Sequence, residues 1–491
     1  MICLRTLGLV AVLLAALHCA AAQPDYQRNA TALAAAPADP AIAKALAGID
    51  STHVEQTIKT LVAFGTRNSM TSMDASLPKG QGIQAAADWI AARFEEISKE
   101  CGGCLEVNRD VFIADPASGE PWARRVLHPT RMTNIYAVLR GSDPAQAKRM
   151  VLVTGHYDSM NSNSFKDWAD TSGDAPGAND DASGVAVSIE CARVLSKLHF
   201  PATIVFAAVA GEEEGLVGSE HLAKLAHDQG WQLEAVLNND IVGGNTTPGD
   251  ELQLKDRVRV FSEGVPAAAT DQQVRRIRGL GEENDSPSRE LARAIADVDR
   301  SYFHAPAPDA RLEDFSAFLV FRPDRYGRGG DHSSFNREGF AAVRFTEWRE
   351  DYNHQHQDVV RPPAGSSEPV KGDLPEFVDY QYVARVARLN AATLATLAAA
   401  PGEPQQVTMD TSRQELSTTL NWKAPEGAPA GMRYELLWRE TTAPDWQYAK
   451  TIEPAEGGGT VTVTVPISKD NVVFGVRTVD LTGHRSGAVA P

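Results

Sequence analysis

Residues 203–219 read TIVFAAVAGEEEGLVGS. From Ile204 to Ala210 the run is apolar without alternation, which reads as a buried strand. Three carboxylates stop it, and a helical pattern from Gly218 to Asp228 follows. The same punctuation recurs along the chain, in VLVTGHYDS (151–159), GANDDASG (177–184) and LNNDIVGG (237–244). Apolar runs that end in polar residues are how an open α/β sheet presents side chains at the carboxyl edge of its strands, where such folds build sites.

Outward from these segments, helical spacing covers 40–64, 80–99 and 184–198, with strands at 134–139, 150–154 and 233–238. Asn134 to Leu139 and Met150 to Thr154 read as neighbours in the sheet. Between Gly243 and Gly330 the pattern loosens, holding one strand (VRVFSEG), one helix (SPSRELARAIADV) and long polar links. A strand at 340–346 and an Ala/Leu-rich helix at 381–399 close the unit. The alternation predicts an α/β fold with a mixed, mostly parallel central sheet and helices on both faces. After Pro401 the composition turns to short alternating strands with turn residues, as in a small all-β sandwich. The expected organisation is a leader at 1–22, a flexible segment at 23–40, an α/β domain at 41–400 and a sandwich at 401–491.

The leader is a secretory signal: Arg5, the apolar core LGLVAVLLAAL, then Ala20-Ala21-Ala22 before Gln23. Cys19 raises a lipoprotein signal as the rival, but His18 is too large for the small residue that precedes a lipidated cysteine. The protein is therefore expected in the periplasm or the medium. No internal apolar stretch approaches the ~20 residues of a bilayer span. With 47 basic and 64 acidic residues the net charge is −17, which argues against nucleic acid or anionic membrane as partner. Of five cysteines, Cys3 and Cys19 lie in the leader. Cys101 and Cys104 in ECGGC are expected to form a local disulfide at a helix end, as suits an exported protein. Cys191 reads as a small buried apolar residue.

Two imidazoles and three carboxylates at the strand ends are too few for two closed zinc sites, but they are enough for two zinc ions sharing one carboxylate. His156 is placed as a ligand, with Asp158 holding its other ring nitrogen. Asp180 is placed between the two cations, with Ser183 capping the following helix. Glu213 is placed as a ligand and Glu212, unligated, as the general base; Glu214 is expected to be exposed. Asp240 is placed as a terminal ligand. In YNHQHQD (352–358) His354 and His356 compete, and His354 is chosen because it stands four before Asp358. His332 either lines the site or is a buried polar residue.

These segments together resemble metallopeptidase family 28: GHYDS, PGANDDASG, EEEGLVGS, an Asp after a strand, DHSSF and a late His-x-x-x-Asp, in order over roughly 41–400. The resemblance implies a dizinc exopeptidase. His156 and Asp240 would lie on one zinc, Glu213 and His354 on the other, with Asp180 bridging and Glu212 as base. The long stretch from Gly243 to Gly330 departs from the pattern. The sandwich resembles a fibronectin type III module, on Trp422, the strand at 434–436 and VFGVRTVD. An aminopeptidase acting on peptide or protein N-termini is the expected activity. A carboxypeptidase would need cationic groups such as Arg322, Arg325, Arg328 or Arg344. A glutaminyl cyclase-like enzyme uses one zinc, and a non-catalytic binding protein should have lost ligands.

Overall fold

The computed structural model describes residues 23–304, 314–455 and 459–491. The proposed leader lies outside the described residues. In chain order the strands are β1 (Thr31–Ala32), β2 (Leu105–Ala114), β3 (Thr130–Leu139), β4 (Arg149–His156), β5 (Thr203–Val209), β6 (Gln232–Asn239), β7 (Arg257–Ser262), β8 (Ser316–Val320), β9 (Ala342–Thr346), β10 (Gln405–Met409), β11 (Thr418–Lys423), β12 (Arg433–Glu440), β13 (Tyr448–Ile452), β14 (Val461–Val465) and β15 (Val472–Val479). The helices are α1 (Asp25–Arg28), α2 (Pro40–Leu46), α3 (Ser51–Val62), α4 (Gly82–Glu100), α5 (Ser162–Lys166), α6 (Ala182–Leu195), α7 (Val217–Asp228), α8 (Asp271–Leu280), α9 (Pro287–Tyr302), α10 (His332–Arg337) and α11 (Tyr380–Ala399).

Eight strands form one sheet in the order β2-β3-β5-β4-β6-β9-β7-β8. The four pairings β5-β4, β4-β6, β6-β9 and β7-β8 are parallel. The central strands carry apolar runs without alternation because both faces are covered. Val151, Val153, Phe206 and Leu237 pack with α3, α4, α6 and α11 on one face. Leu152, Val205, Val236, Leu222 of α7 and Phe335 of α10 fill the other. One expectation fails: β3 and β4 are not neighbours. β5 lies between them, antiparallel to β3 and parallel to β4, so the strands adjacent in sequence are separated by a later one. The loosely patterned stretch contributes β7 and β8 to one sheet edge, and α9 packs on them.

Among the described residues no helix is long and apolar enough to cross a membrane. Cys101 and Cys104 form a disulfide where α4 ends and β2 begins, and Cys191 is a buried free cysteine.

The carboxy-terminal strands form two facing antiparallel sheets, β10-β11-β14 and β1-β13-β12-β15, around Trp422, Tyr434, Trp438 and Phe474. The segment at 23–40, expected to be flexible, makes specific contacts with the sandwich. β1 pairs with β13, the Trp438 indole donates to the carbonyl of Tyr26, and Asp25 accepts from the backbone of Ser468. A sandwich edge takes up an unpaired strand's backbone groups, and this segment supplies them.

Buried ion pairs lock the sandwich to α9 and to the turn just before it. Asp297 accepts from Arg477 at 2.8 Å and Arg485 at 3.2 Å, and Asp285 pairs with Arg439. Burial alone would raise the Asp297 carboxyl, but Arg477, Arg485 and Arg300 hold it down to about 2. An unfolded Asp titrates near 3.9, so the folded carboxyl binds its proton more weakly. Its contribution of about 2 kcal/mol is full above the unfolded value and vanishes as pH falls towards 2. Asp297→Asn is therefore expected to lower the thermal midpoint at pH 7, with the gap from wild type narrowing below pH 3. An equal gap at both pH values would contradict this account.

Candidate metal centre

β5, β4 and β6 are adjacent and parallel, so their carboxyl ends share one edge. His156 ends β4, Glu212 and Glu213 follow β5 after a one-turn bend, and Asp240 follows β6. Asp180 comes from the loop that enters α6. That loop approaches β6 closely: a Cβ on Gly184 would lie 2.2 Å from the carbonyl of Asn239, so only glycine fits. Asp181, and not Ser183, caps α6 by accepting from Gly184. Its carboxylate also accepts from the backbone of His156 at 3.0 Å. Ser183 instead donates to the carbonyl of Asn179.

Asp180 stands at the centre with its two oxygens turned apart. Oδ1 lies 3.1 Å from His156 Nε2, and Oδ2 lies 2.9 Å from His356 Nε2. His356 Nε2 is also 3.0 Å from Glu213 Oε1. Two sets result, His156–Asp180–Asp240 and Asp180–Glu213–His356, each with one donor atom per residue and all donors within 4.8 Å of one another. Asp180 belongs to both.

His354, the histidine chosen from sequence, is not in this cluster. Its backbone N–H bonds to the carbonyl of Asp351, and the turn stacks its ring on Phe377 at 3.6 Å. His356 sits in the left-handed region at φ 52°, and that backbone turn swings its ring inward. A spacing rule could not see this. His332 is a buried polar residue, with Nε2 2.8 Å from the carbonyl of Pro323. Its neighbour Asp331, unnoticed in the sequence, is buried with both carboxylate oxygens unpartnered. Burial pushes that carboxyl up to about 7, against the nearby charge of His156.

Glu212 is half-buried, and its carboxyl is held well above the usual range by burial and by Asp240, Glu213 and Asp331, with His156 opposing. Glu214 differs from expectation, being 1% exposed. The N–H groups of Gly215 and Leu216 both return to the carbonyl of Glu212. This curls the three acids inward. Burial, and then the charge of Asp158, pushes Glu214 up to about 8.

Asp158 stands where the sequence placed it, 3.4 Å from His156 Nδ1 through its carboxylate and 3.2 Å through its carbonyl, and it accepts from the backbone of Glu213. The other supports were invisible in sequence. Asp373 accepts from the backbone of Asn179 and Asp180 at 2.8 and 2.7 Å. Arg67 is fully buried and donates to the carbonyls of Tyr157, Leu61, Pro176 and Gly177. It ties the two ligand-bearing loops to α3. Arg344, also fully buried, pairs with Asp240 at 2.7 Å and with Asp324 at 3.3 Å.

The residues fit a pair of cations. His156 Nε2 and Glu213 Oε1 are buried and make no well-directed hydrogen bond, although Asp180 Oδ1 and His356 Nε2 stand 3.1 and 3.0 Å from them. Four carboxylates crowd two imidazoles where burial disfavours unbalanced charge. Imidazole and carboxylate are zinc donors, and three per cation leaves room for water and substrate.

The sequence profile of Peptidase family M28 matches residues 134–367. A "Probable zinc metalloprotease" of Pyricularia oryzae is 42% identical over 454 residues, covering 91% of this chain and 83% of its own. A second, from Leptosphaeria maculans, is 40% identical, covering 90% of this chain and 95% of its own. Among solved structures, the LapA aminopeptidase of Legionella pneumophila is similar at 20% identity and a TM-score of 0.46, over 73% of this chain and 74% of that one.

Proposed function

The chain belongs to peptidase family M28, and on that premise we propose that it is an exported dizinc aminopeptidase, releasing residues from the N-termini of peptides and proteins. The observation that carries the reading is the divided Asp180 carboxylate, one oxygen towards each histidine. His156, Asp180 and Asp240 would hold one zinc, and Asp180, Glu213 and His356 the other. The zinc ions would supply Lewis-acid activation of a water and of the scissile carbonyl.

The protein's own side chains do the rest. Asp158 fixes the His156 ring by holding Nδ1, which leaves Nε2 as the donor. Glu212 takes the proton from the attacking water and returns it to the departing amine. Burial raises its proton affinity, which suits a group that must accept and then release a proton near neutrality. The buried Asp331 carboxyl beside Glu212, in neither donor set, favours a cationic α-amine as the recognised end. Of the four arginines that a carboxypeptidase would need, three are otherwise engaged and Arg328 is exposed. Arg344 is neutralised by Asp240 and Asp324, Arg325 by Asp324 and Glu350, and Arg322 stacks on Tyr326 at 3.8 Å.

Export is supported by the leader and by the Cys101–Cys104 bond, which suits an oxidising compartment. We read residues 41–400 as the catalytic domain and 401–491 as a fibronectin type III-like module. The three-stranded sheet β10-β11-β14 facing β13-β12-β15 supports that reading. The ion pairs to α9 make it a docked scaffold.

The test compares free-amine with N-blocked peptides, with and without chelator. Expected is hydrolysis of free-amine substrates only, abolished by chelator and restored by zinc. Cleavage from the carboxyl end of blocked peptides would overturn the aminopeptidase assignment, and chelator-insensitive cleavage would overturn the metal mechanism.

A further inference from the structure

An open groove of about 420 Å³ has walls that include Met70, Met73, Leu127, His128 and Trp168. Single exposed apolar side chains are ordinary on protein surfaces. Here they gather: Met73 is 47% exposed, Leu127 47%, and Phe165 of α5, three residues before Trp168, 62%. Two contacts join this patch to the centre. The Arg125 guanidinium lies 5.0 Å over the Trp168 ring and donates to the carbonyl of Glu213 at 3.4 Å. The Phe165 ring lies 5.9 Å from the ring of His356. Trp168, a wall of the groove, is thus one side chain, Arg125, away from Glu213, which sets the groove on the Glu213–His356 side of the centre.

We propose that this groove is the subsite for a large apolar side chain on the residue that follows the scissile bond, so that peptides with an apolar or aromatic second residue are the favoured substrates. The proposal rests on the aminopeptidase reading. An aminopeptidase holds the released residue by its amine at the centre, so the remainder of the peptide must run out to solvent, and an open groove with exposed apolar walls suits the residue that follows. The Arg125 cation on the Trp168 face holds the ring in place as a wall. Exposed Asp74 lines the groove and exposed Asp167 adjoins Trp168, which disfavours an acidic second residue. Trp168 is thus a specificity-determining residue.

The test measures binding of leucyl-phenylalaninamide and leucyl-glycinamide to the zinc-loaded Glu212→Gln protein by calorimetry, alongside kcat/KM for both in wild type. The phenylalanine ligand is expected to bind about tenfold more tightly, the scale on which apolar pockets discriminate. Trp168→Ala should shrink the gap to about twofold with glycinamide affinity unchanged, and Trp168→Phe should restore most of it. Leu127→Ser, at an exposed position, should narrow the gap as well and guards against a folding defect in the first variant. Equal affinities in the parent protein, or a gap that survives both truncations, would overturn the groove assignment. A gap that behaves as expected in a protein that hydrolyses neither peptide would sink the aminopeptidase reading alone.

Discussion

Glu212→Gln is expected to retain zinc while losing turnover, with kcat falling roughly 10²–10⁴-fold, the range that general acid–base catalysis supplies. The amide keeps the shape of the side chain and removes its ability to take a proton. Glu212 is in neither of the two donor sets around Asp180, so metal content should stay at the wild-type value. Glu213→Gln, one residue on, should behave differently. It removes a donor from the second set, so zinc content and activity should fall together. The two adjacent carboxylates are thereby separated by one pair of measurements, metal analysis and steady-state kinetics. If Glu212→Gln kept most of its kcat, or lost zinc as readily as Glu213→Gln, the assignment of the base would be wrong.

What could be read from the sequence follows from what each segment has around it. β4, β5 and β6 are buried on both faces, so their apolar runs declare them and their polar ends declare the sheet edge. β2, at the edge of the sheet, reads LEVNRDVFIA, with Val111 and Ile113 exposed at 56% and 53%. An edge strand facing solvent carries no such run, and it went unread. The order β3-β5-β4 was equally hidden, because nothing local in β3 or β4 encodes that a later strand will separate them. At the site, His156, Asp180, Glu213 and Asp240 were legible because each interrupts an apolar or glycine-rich context. Arg67 was not, since its partners are carbonyls up to 110 residues away in the chain. Glu214 was misread because three adjacent acids usually mean a solvated face, and only the return of two N–H groups to the Glu212 carbonyl turns them inward.

His356→Ala should cost more than any neighbouring histidine change, and the comparison with His354→Ala is the decisive one. His356 Nε2 is the imidazole donor of the Asp180–Glu213 set. Without it that set retains only two carboxylates, both also subject to repulsion from their acidic neighbours. Zinc content should fall by about one equivalent per chain, with activity reduced at least as strongly as by removal of Glu212, since the attacking water would lose one of two activating cations. His354 packs face to face on Phe377 and lies 3.9 Å from Asp351. His354→Ala removes a stacked ring, so it should lower thermal stability by about 1 kcal/mol while leaving zinc stoichiometry intact. Metal analysis of the two purified variants decides the matter. If His354→Ala lost zinc and His356→Ala kept it, the sequence spacing to Asp358 would be the better guide and the left-handed turn at His356 the wrong one. The expected result is the reverse, because a two-residue shift along a loop is set by backbone conformation, and φ 52° at His356 is what aims its ring at Asp180.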